Sequence, residues 1–142
     1  MAYDCLKLSH QLCFPLYAAS KEVVRRYRPF LDELNLTYTQ YIAMMVLWEE
    51  GEKDVKELGE RLFLDSGTLT PLLNQLRKKN YIQKRVSKAD HRYVKIVLTQ
   101  EGKELEERAK EVPNKIASCV NLDPDEAGLL YRLLYKILGS SN

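Results

Sequence analysis

The sequence has no apolar run of the roughly 20 residues that a membrane-spanning helix needs. Its two prominent uncharged stretches, residues 8–20 and 34–48, both fall short, so no membrane association is expected. Residues 1–10 place no basic segment ahead of an apolar core; no secretory leader is expected, and a cytoplasmic location is. Cysteine is scarce. Cys5, Cys13 and Cys119 cannot all pair within one chain, and without a secretory signal they are expected to be thiols. The two histidines, His10 and His91, are too few and too isolated for a metal site, and no cofactor is expected. There is no Walker loop, no GxGxxG after a strand, no HExxH and no nucleophile elbow, which argues against an enzyme. Low-complexity segments and internal repeats are also missing. What is left is one domain of 142 residues, 45% apolar and 30% charged, large enough for a hydrophobic core.

Positive charge, by contrast, is concentrated in one place. Residues 66–95 hold Arg77, Lys78, Lys79, Lys84, Arg85, Lys88, Arg92 and Lys95 against a single acid, Asp90. That is eight minus one, or +7, in a chain whose formal net charge is +2. A one-signed surface beside a helix that fits a groove is the electrostatic footprint of nucleic-acid binding.

Periodicity and capping signals set the frame for that patch. Across residues 9–34, Leu12, Leu16, Ala19, Val23, Tyr27, Phe30 and Leu31 recur at helical spacing. Pro15 implies a start near Gln11 or a bend, and Pro29 marks a second break. Thr37 and Gln40 have the spacing of a capping box, with Leu36 and Tyr41 at the staple positions, and Gly51 stops that helix. Asp54 and Glu57 repeat the box before a short helix, residues 55–62. A turn at 63–65 leads to a helix over residues 66–79, whose core stripe is Leu69, Leu72, Leu73 and Leu76.

Residues 81–86 and 93–98 are β-prone and joined by a polar turn, a hairpin of two strands. Thr99 caps a long charged helix, and Pro113 marks a break in it. Asp123-Pro124-Asp125-Glu126 opens a last helix, expected to bury Leu130, Leu133, Leu134 and Ile137 and to stop at Gly139. The order predicts a mainly α fold with a small β-hairpin. A winged helix-turn-helix spans about residues 37–99, flanked by dimerisation helices at about 6–34 and 100–139. Terminal helices this apolar need a partner.

On the helix at 66–79 the face opposite the leucines carries Gly67, Thr70, Pro71, Asn74, Gln75 and Lys78, groups that suit base edges in a major groove. Its first turn, Ser66, Gly67 and Thr68, offers backbone N–H groups to a phosphate. Pro71 fits if the helix starts near Gly67. The hairpin supplies Lys84, Arg85, Lys88, Arg92 and Lys95. Arginine at a hairpin tip suits a minor groove, and Asp90, two residues before Arg92, is placed to hold its guanidinium in a fork.

Several runs resemble a known family. Leu58-Gly59-Glu60-Arg61-Leu62, Leu64-Asp65-Ser66-Gly67-Thr68-Leu69-Thr70-Pro71-Leu72-Leu73, Asp90-His91-Arg92 and Leu98-Thr99-Gln100-Glu101-Gly102 look like MarR-type regulators. His10-Gln11-Leu12-Cys13-Phe14-Pro15-Leu16-Tyr17 and Leu36-Thr37-Tyr38-Thr39-Gln40-Tyr41 are similar to its organic-hydroperoxide-sensing OhrR branch. The resemblance runs from about Leu6 to the last helix. It departs at Thr39, where many relatives have proline, and at Pro15.

The resemblance implies a homodimeric repressor whose two wings straddle a pseudo-palindromic operator in double-stranded DNA. It implies that Cys13 is the thiol oxidised by an organic hydroperoxide, with Tyr27 and Tyr38 its hydrogen-bond partners. Thiolate is the nucleophile, and a helix N-terminus favours it. Cys119 lies where two-cysteine members keep a resolving cysteine; Cys5 is a weaker candidate. Two neighbouring readings remain open at this point. One is a thiol-based global or virulence regulator of the SarZ and MgrA type. The other is a MarR regulator released by a small phenolic ligand, with no redox role.

Overall fold

The helix starts follow their local signals. In the computed structural model, which describes residues 3–139, Thr37 Oγ1 accepts the Gln40 N–H at 3.4 Å while Gln40 Oε1 accepts the Thr37 N–H at 3.1 Å. This reciprocal box opens α2 (Tyr38–Glu50), and Leu36 and Tyr41 pack beneath it, both buried. Asp54 and Glu57 form the same box on α3 (Val55–Leu62), and Asp123 and Glu126 on α7 (Pro124–Leu138). Thr99 caps α5 (Gln100–Ala109). A further cap escaped the sequence reading: Asp65 Oδ1 accepts the Thr68 N–H at 2.8 Å and starts α4 (Ser66–Lys78).

Helix α1 runs Cys13–Asp32, with 3-10 turns at Asp4–Leu6 and Leu8–His10 before it. The start near Gln11 that Pro15 implied falls two residues later, at Cys13. Pro15 lies in the first turn, where its missing N–H has no helical partner to lose. The expected break at Pro29 is absent, because α1 passes through it to Asp32. Pro29 falls in the last turn and removes only the bond to Arg25. After α5 the chain restarts as α6 (Val112–Ala117), with Pro113 in its first turn.

Instead of a two-stranded hairpin there is a three-stranded antiparallel sheet in the order β1-β3-β2. Strand β2 (Ile82–Val86) pairs with β3 (Val94–Leu98) in the register Lys84↔Ile96. The added strand β1 (Lys53–Asp54) sets Lys53 opposite Ile96. Two charged residues carry no alternating pattern, so that strand is set by pairing alone.

The core lies between α2, α3, α4 and the sheet. All four leucines of the α4 stripe are buried, Leu76 completely; each contributes about 1.5–3 kcal/mol. Two glycines permit close approach. A Cβ on Gly59 would stand 2.8 Å from Leu64 O, inside the helix-turn-helix turn, and one on Gly102 would stand 2.1 Å from Tyr81 O.

The terminal helices differ from expectation. Leu130, Leu133, Leu134 and Ile137 are not buried, and no described residue of α7 is; Ile137 is 66% exposed. In α1 only Leu31 is buried, while Leu12 before it is 83% exposed. Helical periodicity reveals an apolar stripe but not what covers it, and the described residues of one chain leave these largely uncovered.

Candidate nucleic-acid interface and thiol site

Helix α4 turns its leucines inward, so Ser66, Gly67, Thr68, Thr70, Pro71, Gln75 and Lys78 are exposed, with Asn74 half-buried. Pro71 has no N–H to give the Gly67 carbonyl, which loses its usual helical donor. At the wing tip Ser87 Oγ accepts the Ala89 and Asp90 N–H groups, and the Ser87 N–H donates to Tyr93 O at 2.9 Å. Asp90 then grips Arg92: its Oδ1 accepts from Nε at 3.1 Å and its Oδ2 from Nη2 at 2.8 Å. The fork leaves the arginine side chain 88% exposed, and the guanidinium holds the Asp90 carboxyl below the usual carboxylate range.

The basic run is less uniform than its composition. Arg85 is engaged by Glu52, and Lys95 Nζ lies 3.3 Å from Glu57 Oε1. Lys79 turns inward, donating to Asn35 O and Gln40 Oε1. Lys84 and Lys88 are exposed and carry no ion pair among the described residues. These partners come from the α2–β1 link, α3, the α1–α2 turn and α2, distant in sequence, so charge counting within residues 66–95 could not reveal them.

Cys13 is the first residue of α1 and exposed, and its sulfur has no hydrogen-bond partner among the described residues. Tyr27 lies fourteen residues further along the same helix, about 21 Å of rise away. The structure therefore does not bring Cys13 to Tyr27 or Tyr38 within one chain. It does bring the tyrosines together: the Tyr27 and Tyr38 ring centroids are 4.8 Å apart, and Tyr41, which sequence reasoning missed as a site residue, lies 5.9 Å from Tyr27. Its sequence signals were the staple position and its place at the end of the run from Leu36 that resembles the OhrR branch.

Burial, aided by the Tyr38 and Tyr41 hydroxyls, pushes the Tyr27 hydroxyl up to about 12, and burial raises Tyr38 and Tyr41 as well. All three therefore keep their protons as donors at neutral pH. The folded value of Tyr27 lies above the ordinary 10.0, so its stabilisation is complete below pH 10.0 and is lost as pH climbs through about 12. Ultraviolet titration of phenolate should show a late step that disappears in Tyr27→Phe; an unchanged late step would reassign it.

Cys119 follows α6, half-buried, its sulfur 3.6 Å from Lys115 O. Its carbonyl accepts Arg26 Nη1 at 2.7 Å, which puts it beside a residue about 20 Å along α1 from Cys13. Cys5 is exposed in the first 3-10 turn. No described helix is long and apolar enough to cross a membrane.

With this geometry in hand, the chain has clear relatives. The family model of the SarA/Rot transcriptional regulators matches residues 25–109. The organic hydroperoxide resistance transcriptional regulator of Bacillus subtilis is 43% identical over 136 residues, covering 96% of this chain and 92% of its own. SarZ of Staphylococcus aureus is 43% identical over 120 residues, covering 84% and 81%. Reduced AbfR bound to DNA superposes with a TM-score of 0.78 at 32% identity, over 93% of this chain and 92% of that one. The disulfide-formed AbfR gives 0.67 at 31% identity, over 92% of each. These relatives are regulators, not enzymes. The chain belongs to the SarA/Rot transcriptional regulators and is of the MarR type, with the organic hydroperoxide resistance regulator and SarZ among its relatives.

Proposed function

We propose that the protein is a homodimeric, cytoplasmic repressor that reads a pseudo-palindromic operator and lets it go when an organic hydroperoxide oxidises Cys13. The observation that carries this reading is the separation on α1. A thiol stands exposed at one end and three protonated tyrosines gather about 21 Å away, on a helix whose apolar face has no cover in its own chain. A second copy, seated on α1 and α7, brings the Cys13 of one subunit to the Tyr27–Tyr38 pair of the other. The phenol hydroxyls then donate to the thiolate.

In the sensing step the thiolate sulfur attacks the terminal oxygen of the hydroperoxide. The O–O bond breaks, sulfur becomes sulfenic acid, and the alkoxide leaves and takes a proton to give the alcohol. The Cys119 thiol of the other subunit attacks that sulfur, forming a disulfide and releasing water. The tyrosines lose their anionic acceptor, and the α1 helices shift against the reading heads. Superposition is closer on DNA-bound AbfR, whether reduced (TM-score 0.78) or overoxidised (0.77), than on disulfide-formed AbfR (0.67), which fits a binding-competent conformation here.

On the DNA, α4 supplies the base-facing set Ser66, Gly67, Thr68, Thr70, Pro71, Asn74, Gln75 and Lys78. The wing residues Arg85, Lys88 and Arg92, the last held by Asp90, grip the backbone and minor groove. Arg92→Ala should weaken binding roughly uniformly across sequences and lower the salt slope by about one unit. Unchanged affinity would remove the wing from the interface.

A groove of about 410 Å³ between α2 and α5–α6, lined by Tyr41, Met45, Trp48 and Pro113, favours ligand-driven release as the second reading. One experiment separates the two, using a duplex selected from a random library by the reduced protein. Wild type should lose at least ~10-fold affinity on treatment with an alkyl hydroperoxide, within the usual range of allosteric coupling, and Cys13→Ser should lose none. Release by the Cys13→Ser protein would sink the thiol mechanism.

A further inference from the structure

The end of α1 is fastened at three consecutive carbonyls, two of them to the DNA-reading half and one to α5. The helix closes in a tight turn, with Asn35 left-handed (φ 55°) and the Leu36 N–H reaching back to Leu31 O at 3.1 Å. Glu33 O accepts from Arg108 Nη2 of α5, Leu34 O accepts from the Tyr81 hydroxyl at 3.0 Å, and Asn35 O accepts from Lys79 Nζ at 2.8 Å. Lys79 caps the C-terminus of α4. The same ammonium donates to Gln40 Oε1 at 2.7 Å, the oxygen that also accepts the Thr37 N–H in the capping box of α2. Tyr38 is the next residue, its ring tilted against Tyr27 with centroids 4.8 Å apart. One side chain thus joins the end of the reading helix, the end of α1 and the start of the helix that carries Tyr38.

The chemistry of this junction makes it sensitive to position. Gln40 is the sole buried polar side chain among the described residues, and no carboxylate pairs with Lys79 among them. Both acceptors are uncharged. Such bonds fail when an oxygen moves by about an ångström, whereas a carboxylate would still attract the ammonium at that separation. Partial burial also holds Lys79 below the usual lysine value, so its charge gains from having both oxygens face it.

We infer that Lys79 is the positioning residue that couples the Tyr27–Tyr38 pair to the reading helix: when the pair moves, the seat of the ammonium changes, and the angle of α4 with it. The inference rests on the reading above, in which the sensing thiol meets those tyrosines. Tyr81 and Arg108 hold the same turn independently, so the fold survives the loss of Lys79.

The test is a cycle of DNA affinities on the reduced full-length protein, using the selected duplex: wild type, Tyr27→Leu, Lys79→Met and the double variant. Tyr27→Leu should weaken binding, and that loss should shrink at least ~5-fold when residue 79 is already methionine. Lys79→Arg, which keeps donors for both oxygens, should restore the full effect. Losses that multiply independently to within about twofold overturn the inference, as does a Tyr27→Leu protein that binds like wild type. Should Lys79→Met not melt as a folded protein, Lys79→Gln takes its place in the same cycle. Hydroperoxide treatment adds a second arm. Wild type that keeps its DNA sinks the redox reading while the cycle still decides the tether. Wild type that releases DNA, beside a Lys79→Met protein that releases as fully, sinks the tether alone.

Discussion

A Gly102→Ala variant is expected to lose about 3 kcal/mol of folding stability, the upper part of the range for overpacked sites. The added methyl carbon would stand 2.1 Å from Tyr81 O and 3.1 Å from Tyr81 C. Both are backbone atoms, so no rotamer change relieves the clash. Tyr81 O already accepts the Thr99 N–H at 3.1 Å, and Thr99 Oγ1 donates to Asn80 O at 2.6 Å. On the other side Gly102 O accepts the Trp48 indole N–H at 2.9 Å. Sliding α5 outward to make room breaks bonds on both flanks and loosens the Tyr81 hydroxyl from Leu34. Chemical denaturation measures the loss. A wild-type midpoint and slope would mean that α5 docks less tightly than this geometry states.

A Leu133→Asp variant should instead act on assembly. Leu133 is 44% exposed on a helix that gives the core no buried residue, so the winged-helix unit keeps its fold. A carboxylate in the middle of the apolar stripe of α7 would have to lose its water to pair with a second copy, at a cost of several kcal/mol. The chain should sediment as a monomer. Holding only one half-site, it should bind the selected duplex at least ~100-fold more weakly, since linked sites gain that much or more over single ones. A Leu133→Asp dimer with wild-type affinity would place the subunit interface elsewhere.

The parts of this molecule that sequence made legible are those set by neighbours a few residues apart. Capping boxes at Thr37, Asp54 and Asp123 fixed three helix starts because donor, acceptor and helix lie within four residues. The leucine stripe of α4 predicted its buried face for the same reason. The Asp90–Arg92 fork was also readable, being a contact across two residues.

What escaped is long-range. Strand β1 exists because Lys53 and Asp54 find β3, more than forty residues on. Lys79, Arg85 and Lys95 counted as free cations in the sequence, and each proved to have a partner from a distant element. Pro29 misled because proline disrupts according to its place in a helix, and here that place is the last turn. Cys13 and its tyrosines were named together by resemblance, yet helix rise alone keeps them apart in one chain.

The bareness of α7 has a consequence for the amount of protein a cell must keep. In the proposed dimer, a helix with no buried residue among those described gains its stability from the second subunit, so that stability follows mass action. Each tenfold rise in subunit concentration adds about 1.4 kcal/mol to the assembled state. Dilution therefore acts as a denaturant on the terminal helices while the leucine-lined centre persists. The melting temperature should rise with loading concentration, and newly made subunits should trade places with old ones, so that oxidised and fresh chains become mixed within single molecules.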